Sequence, residues 1–256
     1  MNIEKLVNGK FYRGFEWFYR LILLNLLILI VSFSLPAIPF VYWVKNFMAT
    51  EEKGFIVIIS LALFVIGFIP AFISSFMVIK HYMEERTGNI FVLYFRNLID
   101  TIKRIYLIEI ILVPVFMISI YGVSYWWFLL GPDYYDNNLF GLFSIVAFVV
   151  EFFILVGLLL MFINLTYLIV YFRMKTFDYI KASFKFSFRY MGQTLLSILI
   201  LFIPFVLLFW LGMRFLPLYF ISGFTLPQFF MFFAVRGKFS YLSKNVDDIN
   251  TENILE

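Results

Sequence analysis

Few side chains in this sequence could do chemistry, and two carboxylates are foremost among them. Glu109 and Glu151 lie within long apolar runs, where an ionisable group is costly to bury and is therefore a functional candidate. Glu109 follows Lys103 and Arg104 by about one and a half helical turns, so its carboxylate could also reach lipid headgroups at the membrane surface. The surface position is the favoured interpretation, and a site for a cation is the alternative.

The depth of Glu151 in the membrane depends on where its helix begins. Counting inward from Asn137 places Glu151 near the centre of the bilayer. Counting back about 20 residues from Arg173 places it at the outer interface. In that second placement Arg214 lies at a similar depth and could form an ion pair with Glu151. Both placements are compatible with the sequence.

The remaining polar residues within apolar runs favour packing over catalysis. Asn25 and Asn164 are amides inside predicted spans, where a hydrogen bond between helices is the usual role of such a side chain. His81 lies among charged residues just after the second apolar run and is expected to be solvated.

Enzyme chemistry has little support in the residue inventory. The chain has no cysteine and one histidine, which excludes a thiol nucleophile, a disulfide framework and cysteine-based metal sites. It also lacks a Gly-x-Ser-x-Gly elbow, a phosphate-binding glycine loop and a His-Glu-x-x-His helix. We therefore expect no enzymatic activity, no cofactor and no metal site.

The composition places these residues in a lipid environment. Hydrophobic residues make up 63% of the 256 positions and charged residues only 14%, against about 45–50% and about 25% in soluble domains. A soluble protein of this size could not hide so much apolar surface. The bilayer is therefore the expected solvent.

Continuous uncharged runs predict an all-α polytopic membrane protein with about six transmembrane helices. The strands of a membrane barrel would instead alternate over about ten residues. The predicted spans lie near 21–44, 55–79, 105–130, 139–172, 193–213 and 215–235. They form one predicted integral membrane domain over 1–240, and 241–256 is predicted to be a polar cytoplasmic tail.

The positions of the basic residues predict the orientation. With the N-terminus inside, the predicted cytoplasmic segments hold all but three of the 20 Lys and Arg residues, as the positive-inside rule requires. We therefore expect a bacterial cytoplasmic membrane protein with both termini in the cytoplasm. The net charge of +4 follows this topology and does not indicate nucleic-acid binding.

Three aromatic, basic stretches at 11–20, 89–104 and 176–191 are predicted to be interfacial amphipathic helices. Together with the spans they could form three units, each an interfacial helix plus a helical hairpin. Contact with anionic headgroups is the favoured role, and docking of a partner is the alternative. The interfacial basic candidates in the second and third stretches are Arg96, Lys103, Arg104, Lys181, Lys185 and Arg189.

Short motifs occur through most of the chain, at 11–17, 24–27, 34–36, 70–75, 83–88, 90–96 with Lys103, and 183–189. Together they resemble the YesL-like family of bacterial integral membrane proteins, whose function is uncharacterised. The sequence departs from the family in one respect, because a long apolar stretch separates Pro36 from Pro70. The resemblance implies an accessory role near a carbohydrate uptake system and supplies no catalytic residues.

Three functions follow as hypotheses. The first is a non-enzymatic accessory component that binds a membrane transporter subunit, such as a sugar permease. The second is a small autonomous transporter or channel in which proline-broken helices line a path and Glu151 or Glu109 handles a cation. The third, an intramembrane enzyme acting on lipid, is the least favoured. The sequence leaves the oligomeric state open.

Overall fold

A computed structural model describes residues 10–39, 41, 50–84, 86–130, 138–212 and 216–234. Almost all of these residues are α-helical and none of them forms a strand, which confirms the predicted all-α fold. The helices are α1 (Lys10–Ser34), α2 (Thr50–Met83), α3 (Ile90–Leu129), α4 (Asn138–Tyr171), α5 (Thr176–Arg189), α6 (Met191–Leu211), α7 (Leu216–Ser222) and α8 (Thr225–Ala234).

Five of these helices are long and apolar enough to cross a bilayer. The apolar parts that qualify are Gly14–Ser34, Ile56–Met83, Ile90–Leu129, Gly141–Tyr171 and Met191–Trp210. The sixth predicted span, near 215–235, is divided into α7 and α8 by a turn at residues 223–224. A polytopic helical membrane protein is therefore shown, and the count of six is not.

Two of the three predicted interfacial stretches are not separate helices. Residues 11–20 are continuous with the first span in α1, and residues 90–104 are the first part of the 40-residue helix α3. Neither stretch is followed by a helix-breaking residue before the membrane segment begins, so the backbone hydrogen bonding continues. Asn89 caps α3, because its side-chain oxygen accepts the backbone N–H of Phe91 at 2.9 Å. Only the third stretch is a helix of its own, α5.

The described residues divide into two compact units. The first contains the described residues up to Lys103 together with those from Leu199 onward. In it α1 packs against α2 at Gly67, where an added Cβ would lie 3.1 Å from the carbonyl oxygen of Val31. A larger residue at this position would hold the two helices apart, so the glycine permits their close approach.

The second unit runs from Arg104 to Ile198. Here α3 and α4 are in contact through Trp126 and Phe143, whose ring centroids are 5.6 Å apart, and through Trp127 and Phe148 at 5.7 Å. Helix α5 lies against α4. Helices α1, α7 and α8, which are far apart in the sequence, thus belong to one unit, an arrangement that three successive hairpins do not predict.

Candidate functional site

The buried side-chain amide of Asn25 forms hydrogen bonds to backbone groups on both sides of the turn between α7 and α8. The side chain of Asn25, in α1, is fully buried. Its Nδ2 donates to the carbonyl oxygens of Tyr219 at 3.2 Å and Phe220 at 2.6 Å. Its Oδ1 accepts the backbone N–H groups of Phe224 at 2.8 Å and Thr225 at 3.3 Å. The amide therefore makes all four hydrogen bonds that an asparagine side chain can make.

These four backbone groups lie at helix ends, and one of them, the carbonyl oxygen of Tyr219, also accepts the N–H of Gly223 at 2.7 Å. The last carbonyls of one helix and the first N–H groups of the next have no partner within their own helix. In hydrocarbon, water is not there to satisfy them. Asn25 thus serves as the C-terminal cap of α7 and the N-terminal cap of α8 at the same time.

The local sequence explains why the helix breaks here. An added Cβ at Gly223 would lie 2.6 Å from the carbonyl oxygen of Tyr219, so a larger side chain does not fit in this turn. Pro227 lies in the first turn of α8, where its missing N–H leaves no intrahelical hydrogen bond unmade. Together these two residues end α7 and begin α8.

Further polar side chains fasten α8 to its neighbours. Thr225 Oγ1 donates to the carbonyl oxygen of Leu21 in α1 at 2.8 Å. In α2, Ser75 Oγ donates to Gln228 Oε1 at 2.6 Å, and Gln228 Nε2 donates to the carbonyl oxygen of Phe72 at 2.8 Å. Thr225, Gln228 and Ser75 were not predicted from the sequence as candidate site residues. A glutamine within an apolar run, such as Gln228, is nevertheless a pattern that indicates a polar contact between helices.

A second polar cluster joins three helices in the other unit. Asn164 Nδ2, in α4, lies 2.9 Å from the carbonyl oxygen of Leu160, 3.1 Å from Ser187 Oγ in α5 and 3.2 Å from Thr194 Oγ1 in α6. Close by in sequence, Tyr167 OH and Ser197 Oγ are 2.9 Å apart. Both asparagines singled out from the sequence thus bond between helices, which is how buried amides associate transmembrane segments.

The two candidate carboxylates differ in burial. Glu109 is 8% exposed, and its Oε1 has no hydrogen-bond partner among the described residues. Glu151 is half-buried at the contact between α3 and α4. An added Cβ at Gly122 would lie 3.0 Å from its carboxyl carbon, so this glycine makes room for Glu151. Arg214, which could pair with Glu151 if that residue lies at the outer interface, is outside the described residues, as is the predicted tail at 241–256.

Most of the basic residues predicted to lie at the membrane interface are exposed on the protein surface. Arg96 and Lys103 of α3 are exposed and Arg104 is half-buried. All three basic candidates of α5 are exposed, namely Lys181, Lys185 and Arg189.

Near the start of the chain, one further basic residue is held by aromatic rings. Arg20 pairs with Glu16, and its guanidinium lies 3.9 Å from the ring centroid of Tyr82. The ring of Trp17 lies 5.3 Å from that of Phe229. These contacts connect α1 with α2 and α8.

No ligand set for a metal is visible in the part of the chain that the structure describes, where no three His, Asp or Glu side chains converge. A scan against protein-family models, a search of the curated proteins and a search of the solved structures each found no match.

Proposed function

We propose that the protein is a non-enzymatic accessory component of the membrane that binds a transporter subunit, with carbohydrate uptake as the process it serves. The observation that carries this proposal is the closure of the α7–α8 break by Asn25. The link to carbohydrate uptake comes from the family resemblance alone.

The closed break favours a structural role over transport at this site. In many transporters, broken membrane helices direct their free ends at a substrate or an ion. Here Asn25 bonds to two carbonyls of α7 and to two N–H groups at the start of α8. Thr225 and Gln228 of α8 bond to α1 and α2. The broken helix therefore contributes to a fixed packing of the protein itself, as expected of a component that presents a stable surface to a partner.

We also propose a topology of six crossings with both termini in the cytoplasm of a bacterial plasma membrane. The distribution of Lys and Arg supports the orientation. Residues 216–234 would supply the sixth crossing, since the seven residues of α7 and the ten of α8 rise about 25 Å as helix, the turn at 223–224 adds to this length, and the hydrocarbon core is about 30 Å thick.

Crosslinking in the native host tests the accessory role. A photo-activated crosslinking residue is placed at outward-facing positions such as Phe153, Leu199 and Phe209, and at buried Phe72 as the control. We expect one or more outward positions to capture a transporter subunit in a fixed ratio, with none captured at Phe72. Recovery of the protein crosslinked only to lipid at every outward position would reject the proposal.

A second candidate function, autonomous transport of a cation or proton, is favoured by the burial of Glu109 without a hydrogen-bond partner for its Oε1 among the described residues. An unpaired carboxyl inside a membrane helix is a recurrent feature of ion pathways. Protein reconstituted in vesicles should then show flux that Glu109→Gln abolishes and Asp178→Asn, at an exposed position, leaves unchanged. Glu151→Gln tests the other carboxylate in the same assay. Flux equal to that of empty vesicles would reject this candidate.

A further inference from the structure

Hydroxyl groups of α5 bond to α4 and to the residue that follows it, whereas three of the phenylalanines of α5 are exposed. The buried residues of α5 are Tyr179, Ser183 and Ser187. Tyr179 OH donates to the carbonyl oxygen of Phe172 at 2.8 Å, and Ser187 Oγ accepts a hydrogen bond from Asn164 at 3.1 Å. These bonds fix the rotation of α5 about its own axis.

The fixed rotation leaves a row of three phenylalanines uncovered. Phe177, Phe184 and Phe188 are 62%, 59% and 66% exposed. Their spacing of seven and then four residues places them on one stripe of the helix. Because the opposite side is bonded to α4, this stripe cannot turn inward.

A row of cations runs beside the phenylalanines. Lys181, Lys185 and Arg189 recur every four residues and are all exposed, so they form a second stripe next to the first. Asp178 is the one acidic residue in α5. The outward surface of α5 is thus apolar along one edge and positive along the adjacent edge.

We infer that this surface, formed by Phe177, Phe184, Phe188, Lys181, Lys185 and Arg189, is a binding site for anionic phospholipid. The three cations bind the headgroup phosphates and the three rings enter the upper acyl region. The site goes beyond the accessory role proposed above and does not depend on the identity of any partner.

The position of α5 in the chain is the reason for choosing a lipid as the occupant. Helix α5 follows the membrane-spanning helix α4 after residues 172–175 and precedes α6 after Tyr190 alone. Both ends of α5 are therefore held at a membrane surface. There the positive edge is complementary to anionic headgroups, and the exposed rings have hydrocarbon within reach.

Lipid selectivity of the full-length protein tests the inference. Native mass spectrometry of protein equilibrated with equal amounts of phosphatidylglycerol and phosphatidylcholine gives the ratio of bound lipids. In Lys181→Gln/Lys185→Gln/Arg189→Gln we expect this ratio to fall about tenfold or more, because each cation near an anionic surface contributes about fivefold in affinity. The matched control removes three exposed charges that belong neither to this surface nor to the other interfacial candidates, in Arg86→Gln/Arg173→Gln/Lys175→Gln.

Equal losses in the two triple variants would overturn the site, since the attraction would then follow net charge alone. An unchanged ratio in the α5 variant would overturn it as well, and would direct attention to a protein partner for this surface.

A second measurement does not depend on the triple variant folding. The chain has no cysteine, so Phe188→Cys can carry a single fluorophore on α5, with Val92→Cys on an exposed position of α3 as the control. Brominated phosphatidylglycerol should quench the label at position 188 more strongly than brominated phosphatidylcholine does. It should show a smaller preference at position 92. Equal quenching by the two lipids at position 188 would contradict the inference.

Discussion

Asn25 Oδ1 accepts the backbone N–H of Phe224 at 2.8 Å, although 199 residues separate the two in the sequence. The bond connects the first helix of the chain with the turn in its last apolar segment. Since Asn25 bonds to backbone groups and not to side chains, the identities of residues 219, 220, 224 and 225 do not reveal it. The stability of the unit that contains α1, α7 and α8 should therefore depend strongly on the side-chain amide of Asn25.

Replacing Asn25 by leucine, which has a similar volume, should destabilise the protein. The change removes the bonds of Asn25 to two carbonyls and two N–H groups at a buried helix break, where the Tyr219 carbonyl keeps its bond to the N–H of Gly223. A loss of about 2 kcal/mol is expected, because hydrogen bonds inside membrane proteins contribute about 0.6 kcal/mol each on average. Thermal unfolding in detergent measures the loss as a lower Tm. Leu26→Ala, at the exposed neighbouring position, is the control, and a Tm no lower than that of the control would refute the role of Asn25.

The close approach of α1 and α2 predicts opposite outcomes at two glycines. A methyl group at Gly67 would lie 3.1 Å from the Val31 carbonyl oxygen and 3.3 Å from the Cα of Ser32. Backbone atoms cannot rotate away, so Gly67→Ala should cost about 1–3 kcal/mol. Gly157, in α4, has nothing within 4 Å of an added Cβ. Gly157→Ala should therefore be neutral or stabilising by up to about 1 kcal/mol, because alanine favours the helix. Chemical or thermal unfolding measures the stability of the two variants under the same conditions. Similar losses of stability in Gly67→Ala and Gly157→Ala would contradict the packing of α1 on α2.

A coupling energy is expected between Ser75 and Gln228, whose side chains meet at 2.6 Å. Stabilities of Ser75→Ala, Gln228→Leu and the double variant form a double-mutant cycle. The double variant should be less destabilised than the sum of the single changes by about 0.5–1.5 kcal/mol. Strict additivity would mean that α2 and α8 do not bond through this pair. Ser75 with Thr225, a pair that shares no hydrogen bond in the structure, provides the comparison cycle.

The membrane-spanning helices were predictable because their signal is local. A run of about 20 apolar residues must satisfy its backbone within itself, so the runs behind α2, α4 and α6 indicate helices without knowledge of any contact. The extent of α1 and α3 was not predicted. Their amphipathic first halves are typical of surface helices, yet no residue such as proline or glycine separates them from the spans, and the helix continues.

The candidate sites were predictable only in part, because their partners are distant in sequence. Asn25 and Asn164 attract attention as amides in apolar runs, and interhelical bonding follows from their burial. The break at 223–224 does not follow from the length of the apolar run near 215–235, which suffices for one span. It depends on Gly223 and Pro227 locally and on Asn25 across the fold.

The attachment of α5 to α4 should depend on Asn164. Asn164→Leu removes the side-chain link from α4 to Ser187 and Thr194. The hydroxyls of both residues keep their bonds to backbone carbonyls, those of Ser183 and Tyr190. Helix α5 should therefore remain helical but detach from α4 more often. If the free energy of this opening falls by about 1.4 kcal/mol, amide hydrogen exchange over 176–189 rises by about tenfold. Exchange over 90–103, in the other unit, is the internal reference and should not change. Tyr167→Phe, which removes the bond to Ser197, should leave exchange in α5 nearly as it is. A rise confined to α6, with none over 176–189, would show that the hydroxyl face of α5 does not rely on Asn164.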